Sequence, residues 1–169
     1  MNRHQRVLHT APERSFEPRF RALPRWRYTT IDRFDPIADL QADLTDIPLT
    51  DGSFDGVISS HVLEHIPDDQ RAMAELARVI RPGGWALILV PYDPKMPHTD
   101  EGRHVTDPAE RLTRFGHPYH YRTPGADYPD RLRAAGFEVS VISSKRFLTP
   151  HQRRKYRINR NYLFDCRRL

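Results

Sequence analysis

Several residues with binding or catalytic chemistry share one position, because each stands where a predicted β-strand ends. They are His9 to Glu13, Asp32, Asp43-Leu44, Ser60-His61 and Pro91-Tyr92. In open α/β sheets the carboxyl ends of parallel strands meet at one crevice, and ligands bind there. We therefore expect these side chains to surround a single site.

The elements that must position these residues follow from the spacing of apolar side chains. Strands are predicted at 6–11, 27–32, 54–61, 85–92, 138–144 and 161–168, with a short extended piece within 35–44. Helices are predicted at 12–23, 67–80 and 128–136. Strands that alternate with helices predict an α/β fold with a parallel sheet, and the last two strands are candidates for antiparallel pairing.

Particular residues support the first two helices. Pro12 suits a first helical turn, whereas Pro18 limits or kinks that helix. Asp68 is a good N-cap for the second helix, and Gly83 suits the left-handed position after it. The apolar face of the second helix comprises Met73, Leu76, Ala77 and Ile80. Residues 93–121 read as a long irregular segment, and we expect it to act as a lid or substrate loop.

Length and composition bound the class of protein. The 169 residues predict one domain over 1–169, and the single Cys166 excludes an internal disulfide or a cysteine-rich zinc site. No apolar run approaches the roughly 20 residues of a membrane span, and "MNRHQR" lacks a signal region. A soluble cytoplasmic protein without a membrane partner is expected.

The net charge of +5 is concentrated at the two ends of the chain. A basic surface suits nucleic acid, but it is also typical of a solvated, arginine-rich surface. We favour the second interpretation, because the basic ends lack the interleaved aromatic residues of single-strand binders.

The central segment resembles a known family. "ADLTDIPL", "SFDGVISSHVLEHI", "ELARVIRPGG" and "WALILVPY" resemble, in order and spacing, the class I S-adenosylmethionine-dependent methyltransferases of the type 11 kind. The resemblance implies a Rossmann-like, seven-stranded, mostly parallel sheet flanked by helices, with the last strand inserted antiparallel. The usual glycine-rich first loop is replaced by "HTAPE", which is similar to a bacterial subgroup with H-x-A-P-E. Members of that subgroup often carry an upstream cysteine-rich zinc segment, so the chain resembles the bare catalytic domain.

The resemblance implies roles for residues around the cofactor, S-adenosylmethionine. Asp32 is expected to accept both ribose hydroxyls. Asp43 is expected to accept from the adenine amino group, while Leu44 offers its amide and an apolar surface. In the first loop, Ala11 is small enough for close approach, Glu13 suits the ammonium, and Thr10 or His9 suits the carboxylate. Ser60 is also placed at the cofactor.

The remaining candidates concern the methyl acceptor. His61 is a candidate base, or a residue that only shapes the crevice. Tyr92, His120 and Tyr121 are candidate acceptor contacts. For Tyr119, His120, Tyr121 and Arg122, lining of the acceptor pocket and packing within the loop are both open. His65 is expected to be structural, hydrogen-bonded under the adjoining helix. His98, His104, His117 and His120 match no compact zinc spacing, so no metal site is predicted.

The expected function is methylation of an O, N or C atom of a small-molecule acceptor, with S-adenosylhomocysteine as product. A homodimer is a candidate arrangement for completing the pocket. One alternative is a methyltransferase-like protein with a non-methylating reaction or a non-catalytic role, which the altered first loop motivates. The other is nucleic-acid methylation, which the basic ends favour but "SHVL" after the fourth strand does not.

Overall fold

The computed structural model describes residues 4–156 and 162–169. A seven-stranded sheet has the order β3-β2-β1-β4-β5-β9-β8, and a two-stranded ribbon joins β6 to β7. The strands are β1 Gln5–Thr10, β2 Trp26–Asp32, β3 Leu40–Gln41, β4 Phe54–Ser60, β5 Ile80–Leu89, β6 Asp100–Glu101, β7 Arg122–Thr123, β8 Phe137–Ser143 and β9 Tyr162–Arg168. The neighbouring strands β3, β2, β1, β4 and β5 pair in parallel, and β9 runs antiparallel between β5 and β8. The predicted fold class is confirmed.

In the described part of the chain, five α-helices connect these strands. They are α1 Glu17–Arg21, α2 Asp69–Val79, α3 Pro108–Phe115, α4 Tyr128–Ala134 and α5 Pro150–Lys155. The prediction of a first helix from residue 12 is wrong, because α1 begins at Glu17 with Pro18 in its first turn, where proline is tolerated. Within the described ranges, no helix is long and apolar enough to cross a membrane.

Helix α2 begins as predicted but ends differently. The Asp68 side chain accepts from the Arg71 amide and caps the helix. The chain then passes directly into β5, since Ile80 is already extended. Gly83 has the expected left-handed backbone, with φ of 72°, but it lies inside β5 and not after a helix. The register between β4 and β5 shifts beside Phe54, so Gly83 belongs to an irregular stretch of strand.

The 93–121 segment is more ordered in secondary structure than predicted. Helix α3 lies within it, capped by the Asp107 side chain and ended by Gly116 at φ of 75°. The ribbon β6–β7 ties its beginning to residues 122–123. Whether this segment acts as a lid stays a prediction.

The core lies between the sheet and α2. The predicted apolar face of α2 is buried, with Met73, Leu76, Ala77 and Ile80 at most 2% exposed. Cys166 on β9 is also fully buried. Helix α5 ends at Lys155, and residues 157–161, which reach the start of the last predicted strand, lie outside the described ranges. The packed sheet therefore holds the strand ends that carry the site.

Candidate active site

A cavity of about 840 Å³ is lined by residues that follow β1, β2 and β4. This volume suits a small-molecule ligand. The predicted site residues that line it are Ala11, Asp32, Asp43, Leu44, His61 and Tyr121. Its lining does not include the predicted residues His9, Thr10, Glu13, Ser60, Tyr92 and His120. The ends of the predicted strands therefore located the cavity, but they did not distinguish the residues that line it from the residues behind them.

Asp32 ends β2 and organises the loop that follows. Its Oδ1 accepts from the backbone amides of Phe34 at 2.7 Å and Asp35 at 2.9 Å. This local turn fixes the carboxylate at the cavity wall. Both hydrogen bonds that we find to this carboxylate among the described residues use Oδ1, so Oδ2 is left for a ligand hydroxyl.

Asp43 follows β3 and is held by three contacts. Its Oδ1 accepts from the Thr45 amide at 2.9 Å and the Thr45 hydroxyl at 2.8 Å, and its Oδ2 lies 2.8 Å from Arg33 Nη1. The Thr45 contacts and the Arg33 charge lower the pKa of the Asp43 carboxyl below its ordinary value. A carboxylate has about four acceptor sites, so one remains for a ligand donor. Arg33 also lines the cavity, and sequence reasoning missed it.

The loop after Thr45 is clamped onto helix α2. Glu75 Oε2 accepts from the Ile47 amide at 2.8 Å, and Arg78 Nη2 donates to the Ile47 carbonyl at 2.8 Å. Arg71 Nε donates to the Thr45 carbonyl at 2.7 Å. Hydrogen bonds from Arg78 lower the pKa of the Glu75 carboxyl. Helix α2 thus positions the Asp43 segment through side chains far from it in sequence.

Ala11 takes the backbone conformation that glycine favours. Its φ is 43°, in the left-handed region that an alanine rarely adopts. Its amide donates to the Ile31 carbonyl at 2.8 Å, and Pro12 has no amide to donate. The first loop therefore presents a small side chain to the cavity, and neither of these two residues has a free amide for a ligand.

The side chains of His9 and Thr10 are buried and contact other protein groups. His9 is fully buried, with Nδ1 2.6 Å from the Tyr28 hydroxyl and Nε2 3.3 Å from Glu13 Oε2. The expected hydrogen bond from His9 to a ligand stays a prediction, and Nε2 has no hydrogen-bond partner among the described residues. Burial lowers the pKa of His9, and the charge of Glu13 opposes this shift. Thr10 Oγ1 donates to Ser59 Oγ at 3.0 Å within the sheet.

His61 and Glu64 form a histidine–carboxylate pair at the cavity. His61 directly follows β4 with φ of 54°, and its side chain is 53% exposed. Its Nδ1 lies 3.1 Å from Oε1 of Glu64, which is fully buried. This hydrogen bond raises the pKa of His61, while burial opposes the shift. Glu64 was missed as a functional residue, although its place three residues after a candidate base was a signal.

Arg122 is a buried clamp beneath the cavity wall. The side chain is fully buried, and it donates to the carbonyls of Leu63 at 2.8 Å, Ile66 at 2.7 Å and Pro67 at 2.8 Å. Its Nε lies 3.3 Å from Asp69, which is also fully buried. Of the two interpretations left open for Arg122, the structure supports packing. Arg122 fixes the 63–67 turn, whose residues line the cavity.

The two tyrosine candidates, Tyr121 and Tyr92, lie in different surroundings. Tyr121 lines the cavity, and the Arg111 guanidinium lies 3.9 Å from its ring centroid. Tyr92 packs edge-on against Tyr162 and Phe164, with ring centroids 5.3 Å and 5.1 Å away. Tyr121 therefore has the position expected of a ligand contact, whereas Tyr92 supports the neighbouring strand β9.

His65, His117 and His120 form a cluster that sequence reasoning did not foresee. The ring centroids of His65 and His120 are 4.6 Å apart, as are those of His117 and His120. His65 lines the cavity and packs against the 117–120 turn. Its expected structural role under the adjoining helix stays a prediction, and the contacts with the 117–120 turn follow because α3 ends at Gly116.

Comparisons with known proteins agree with this geometry. Residues 14–88 match the family model described as a methyltransferase domain. An uncharacterized methyltransferase of Mycobacterium sp. (strain KMS) is 36% identical over 97 residues, which cover 56% of this chain and 38% of the relative. The chain spans 38% or less of the length of each of the first curated relatives that it matches.

Solved structures resemble the fold over nearly the whole chain. The cyclase SpnF matches with a TM-score of 0.67 at 18% identity, over 98% of this chain and 75% of its own. The 1,6-didemethyltoxoflavin-N1-methyltransferase of Burkholderia thailandensis, solved with 1,6-didemethyltoxoflavin and S-adenosylhomocysteine, matches with a TM-score of 0.66 at 17% identity, over 98% and 71%. At such identities the likeness concerns the fold alone. Over residues 14–88 the chain therefore resembles a methyltransferase domain, and its sheet resembles those of solved S-adenosylmethionine-dependent methyltransferases.

Proposed function

We propose that this chain binds S-adenosylmethionine and methylates a small-molecule acceptor. The observation that carries the proposal is the placement of Asp32 and Asp43 along one cavity of about 840 Å³, at the carboxyl end of the sheet. The family match over residues 14–88 includes strands β2 and β4, whose ends line this cavity. The volume favours a small acceptor beside the cofactor. We also propose that the protein is soluble and cytoplasmic.

The residues present fit the nucleoside part of the cofactor. Asp32 retains Oδ2 for the ribose hydroxyls, while Oδ1 stays on the loop amides. Asp43 retains one acceptor site for the adenine amino group, and Leu44, only 7% exposed, supplies an apolar wall. The small side chain of Ala11 leaves room where the cofactor crosses β1.

The methionine end depends on the first loop. Glu13 keeps a partly exposed carboxylate, at 39% of the side chain, and we assign it to the ammonium. Buried His9 lies 3.3 Å from Glu13, and its contact with the cofactor stays a prediction. Contacts of Thr10 and Ser60 with the cofactor stay predictions, as do those of Tyr92 and His120 with the acceptor.

The bound cofactor supplies a methyl group on a positively charged sulfur and leaves as S-adenosylhomocysteine. His61 is placed to take the proton from the acceptor O–H or N–H as that atom bonds to the methyl carbon. Glu64 holds the His61 ring through Nδ1, so that the other ring nitrogen is available. Tyr121 contributes an apolar surface for the acceptor. Most of the rate would come from positioning the acceptor in line with the methyl group.

The test is calorimetric titration with S-adenosylhomocysteine and S-adenosylmethionine, followed by measurement of S-adenosylhomocysteine release with panels of small hydroxyl, amine and carbon acids. Binding and acceptor-dependent release are expected. Absence of binding at millimolar ligand would overturn the proposal. Binding without release for any panel member, combined with modification of RNA or DNA, would replace the acceptor class.

A further inference from the structure

Three histidines from distant parts of the chain meet beside the cavity. His65 comes from the turn after β4, whereas His117 and His120 come from the turn after α3. One ring nitrogen from each lies within 4.8 Å of one from both others. Zinc–nitrogen bonds are about 2.0–2.1 Å long, so nitrogens bound to one ion are no more than about 4.2 Å apart. A small inward shift of the rings would let all three bind a single ion.

The surroundings of the cluster suit a cation. His120 Nδ1 is buried and has no hydrogen-bond partner among the described residues, which is costly for a polar atom. The charge of buried Glu64 acts on both His65 and His120. Glu64 Oε2 is likewise buried without a partner in the described part of the chain. An unpartnered ring nitrogen and an adjacent carboxylate both favour a positive ion.

Backbone groups can orient the rings. A Tyr119 backbone group lies against the His65 ring, and a Phe115 backbone group lies against the His120 ring. Histidine ligands usually place their second nitrogen on such a carbonyl, which fixes the tautomer. His117 differs, since its Nδ1 accepts a long 3.2 Å contact from the Tyr119 amide. A metal at Nδ1 would take the lone pair that accepts from the Tyr119 amide, whereas a metal at Nε2 would leave the ring proton on Nδ1, which could then no longer accept.

We propose that His65, His117 and His120 bind one divalent transition metal ion, with Zn²⁺ as the favoured ion. Imidazole ligands suit zinc, copper, iron and nickel, whereas magnesium and calcium prefer oxygen. Three protein ligands leave one tetrahedral position open, as in catalytic zinc sites. Because His65 itself lines the cavity, the open position is adjacent to the acceptor space.

The consequence for the reaction rests on the proposed function. A metal at this place would bind an acceptor with an oxygen or nitrogen donor and lower the pKa of its proton. His61 lines the same cavity and would receive that proton. The acceptor class would then be compounds with a metal-binding hydroxyl or amine, such as phenols, enols or hydroxamates.

Metal binding is tested on the full chain without any acceptor. The purified, chelator-treated protein is titrated with Zn²⁺ by calorimetry and with Co²⁺ by visible spectroscopy, which reports tetrahedral coordination through its intense d–d bands. One equivalent is expected in each case. His117→Ala should weaken zinc binding by at least about 100-fold, because loss of a ligand exceeds the 10–100-fold effect of outer-shell changes. His120→Ala should behave in the same way.

The matched control is the double variant His98→Ala and His104→Ala, which removes two exposed histidines of the 93–121 segment outside the cluster. It should keep wild-type affinity. Zinc should also raise the melting temperature of the wild type and of this control, but not of His117→Ala. Equal metal-free melting temperatures of wild type and His117→Ala show that the variant folds.

The outcomes separate this inference from the proposed function. If zinc binds no tighter than millimolar, or if His117→Ala and His120→Ala bind as the wild type does, the metal site is wrong. S-adenosylhomocysteine is titrated in parallel with the chelated protein. Cofactor binding without zinc binding overturns the metal site alone, whereas zinc binding without cofactor binding overturns the proposed function alone.

Discussion

Ala11 and His61 follow the neighbouring parallel strands β1 and β4, and both have a left-handed backbone, with φ of 43° and 54°. The order in which successive strands are added to the sheet reverses between these two strands, because β2 and β3 lie on one side and β5 lies on the other. Such a reversal is where open α/β sheets bind ligands. Two non-glycine residues in this conformation, each at a cost of roughly 1–2 kcal/mol, therefore concentrate strain at the cavity.

Glycine at position 11 should be tolerated. Ala11→Gly relieves the left-handed strain but loosens the unfolded chain, so we expect a change in unfolding free energy between zero and about 1 kcal/mol in the stabilising direction. Urea denaturation measures this. The control is Ala74→Gly on the exposed face of α2, which should destabilise by about 0.5–1 kcal/mol. A larger loss at position 11 than at position 74 would contradict the backbone argument.

Asp32→Asn should weaken cofactor binding and leave the fold intact. The asparagine keeps an oxygen for the Phe34 and Asp35 amides but removes the negative charge from the ribose hydroxyls. Hydrogen bonds to a charged group contribute about 1.5–3 kcal/mol, so a loss of roughly 10- to 100-fold in S-adenosylhomocysteine affinity is expected by calorimetry. Asp35→Asn, in the same loop but outside the cavity lining, is the control. Equal affinity in the two variants would refute the ribose assignment.

His61→Ala should lower turnover more than it lowers cofactor affinity. General-base catalysis contributes typically 10²–10⁴-fold, so kcat should fall by at least about 100-fold with a protonated acceptor. The affinity for S-adenosylhomocysteine, measured by titration, should remain within about threefold of wild type, because His61 acts on the acceptor. Unchanged kcat would show that His61 only shapes the cavity, the alternative that its position also allows.

Arg122→Met should destabilise the protein strongly. The variant removes this cation from buried Asp69, which keeps Arg131 as a partner, and removes one hydrogen bond from each of three turn carbonyls. Breaking a buried ion pair typically costs about 3–5 kcal/mol, measurable as a lower urea midpoint. The control, Arg133→Met, removes an exposed pair with Asp130 and should cost no more than about 1 kcal/mol. Similar losses in both variants would argue against the clamp.

Glu75 should make stability depend on acid pH. Arg78 holds the pKa of this carboxyl below its ordinary value of 4.5 in the folded state. Its stabilising contribution is therefore complete above pH 4.5 and is lost as the pH falls through the lower folded-state pKa. Glu75→Gln should be less stable than wild type at pH 7, and the difference should shrink below pH 4.5. The exposed Glu110→Gln variant controls for the loss of one negative charge. A stability difference between wild type and Glu75→Gln that grows as the pH falls would contradict the prediction.

Local patterns predicted the parts of the fold that depend on neighbouring residues. The apolar face of α2, its Asp68 cap and the apolar runs of β4 and β5 follow directly from spacing, because a helix or strand presents side chains at a fixed period. The strand ends carrying Asp32 and His61 were predicted for the same reason. The start of α1 was misplaced, since both Pro12 and Pro18 fit a first helical turn and only packing selects one.

The sequence by itself determined the α/β class, the strand ends that surround the cavity and the family resemblance, because these depend on short-range periodicity and contiguous motifs. Only the tertiary structure decided that Arg122 is buried, that His9 faces Tyr28 and Glu13, and that Ala11 takes a glycine-like backbone. It also brought His65 against His117 and His120, more than 50 residues away in the chain. Such contacts join segments that no local period relates, and they form only when the sheet and α3 close around one core.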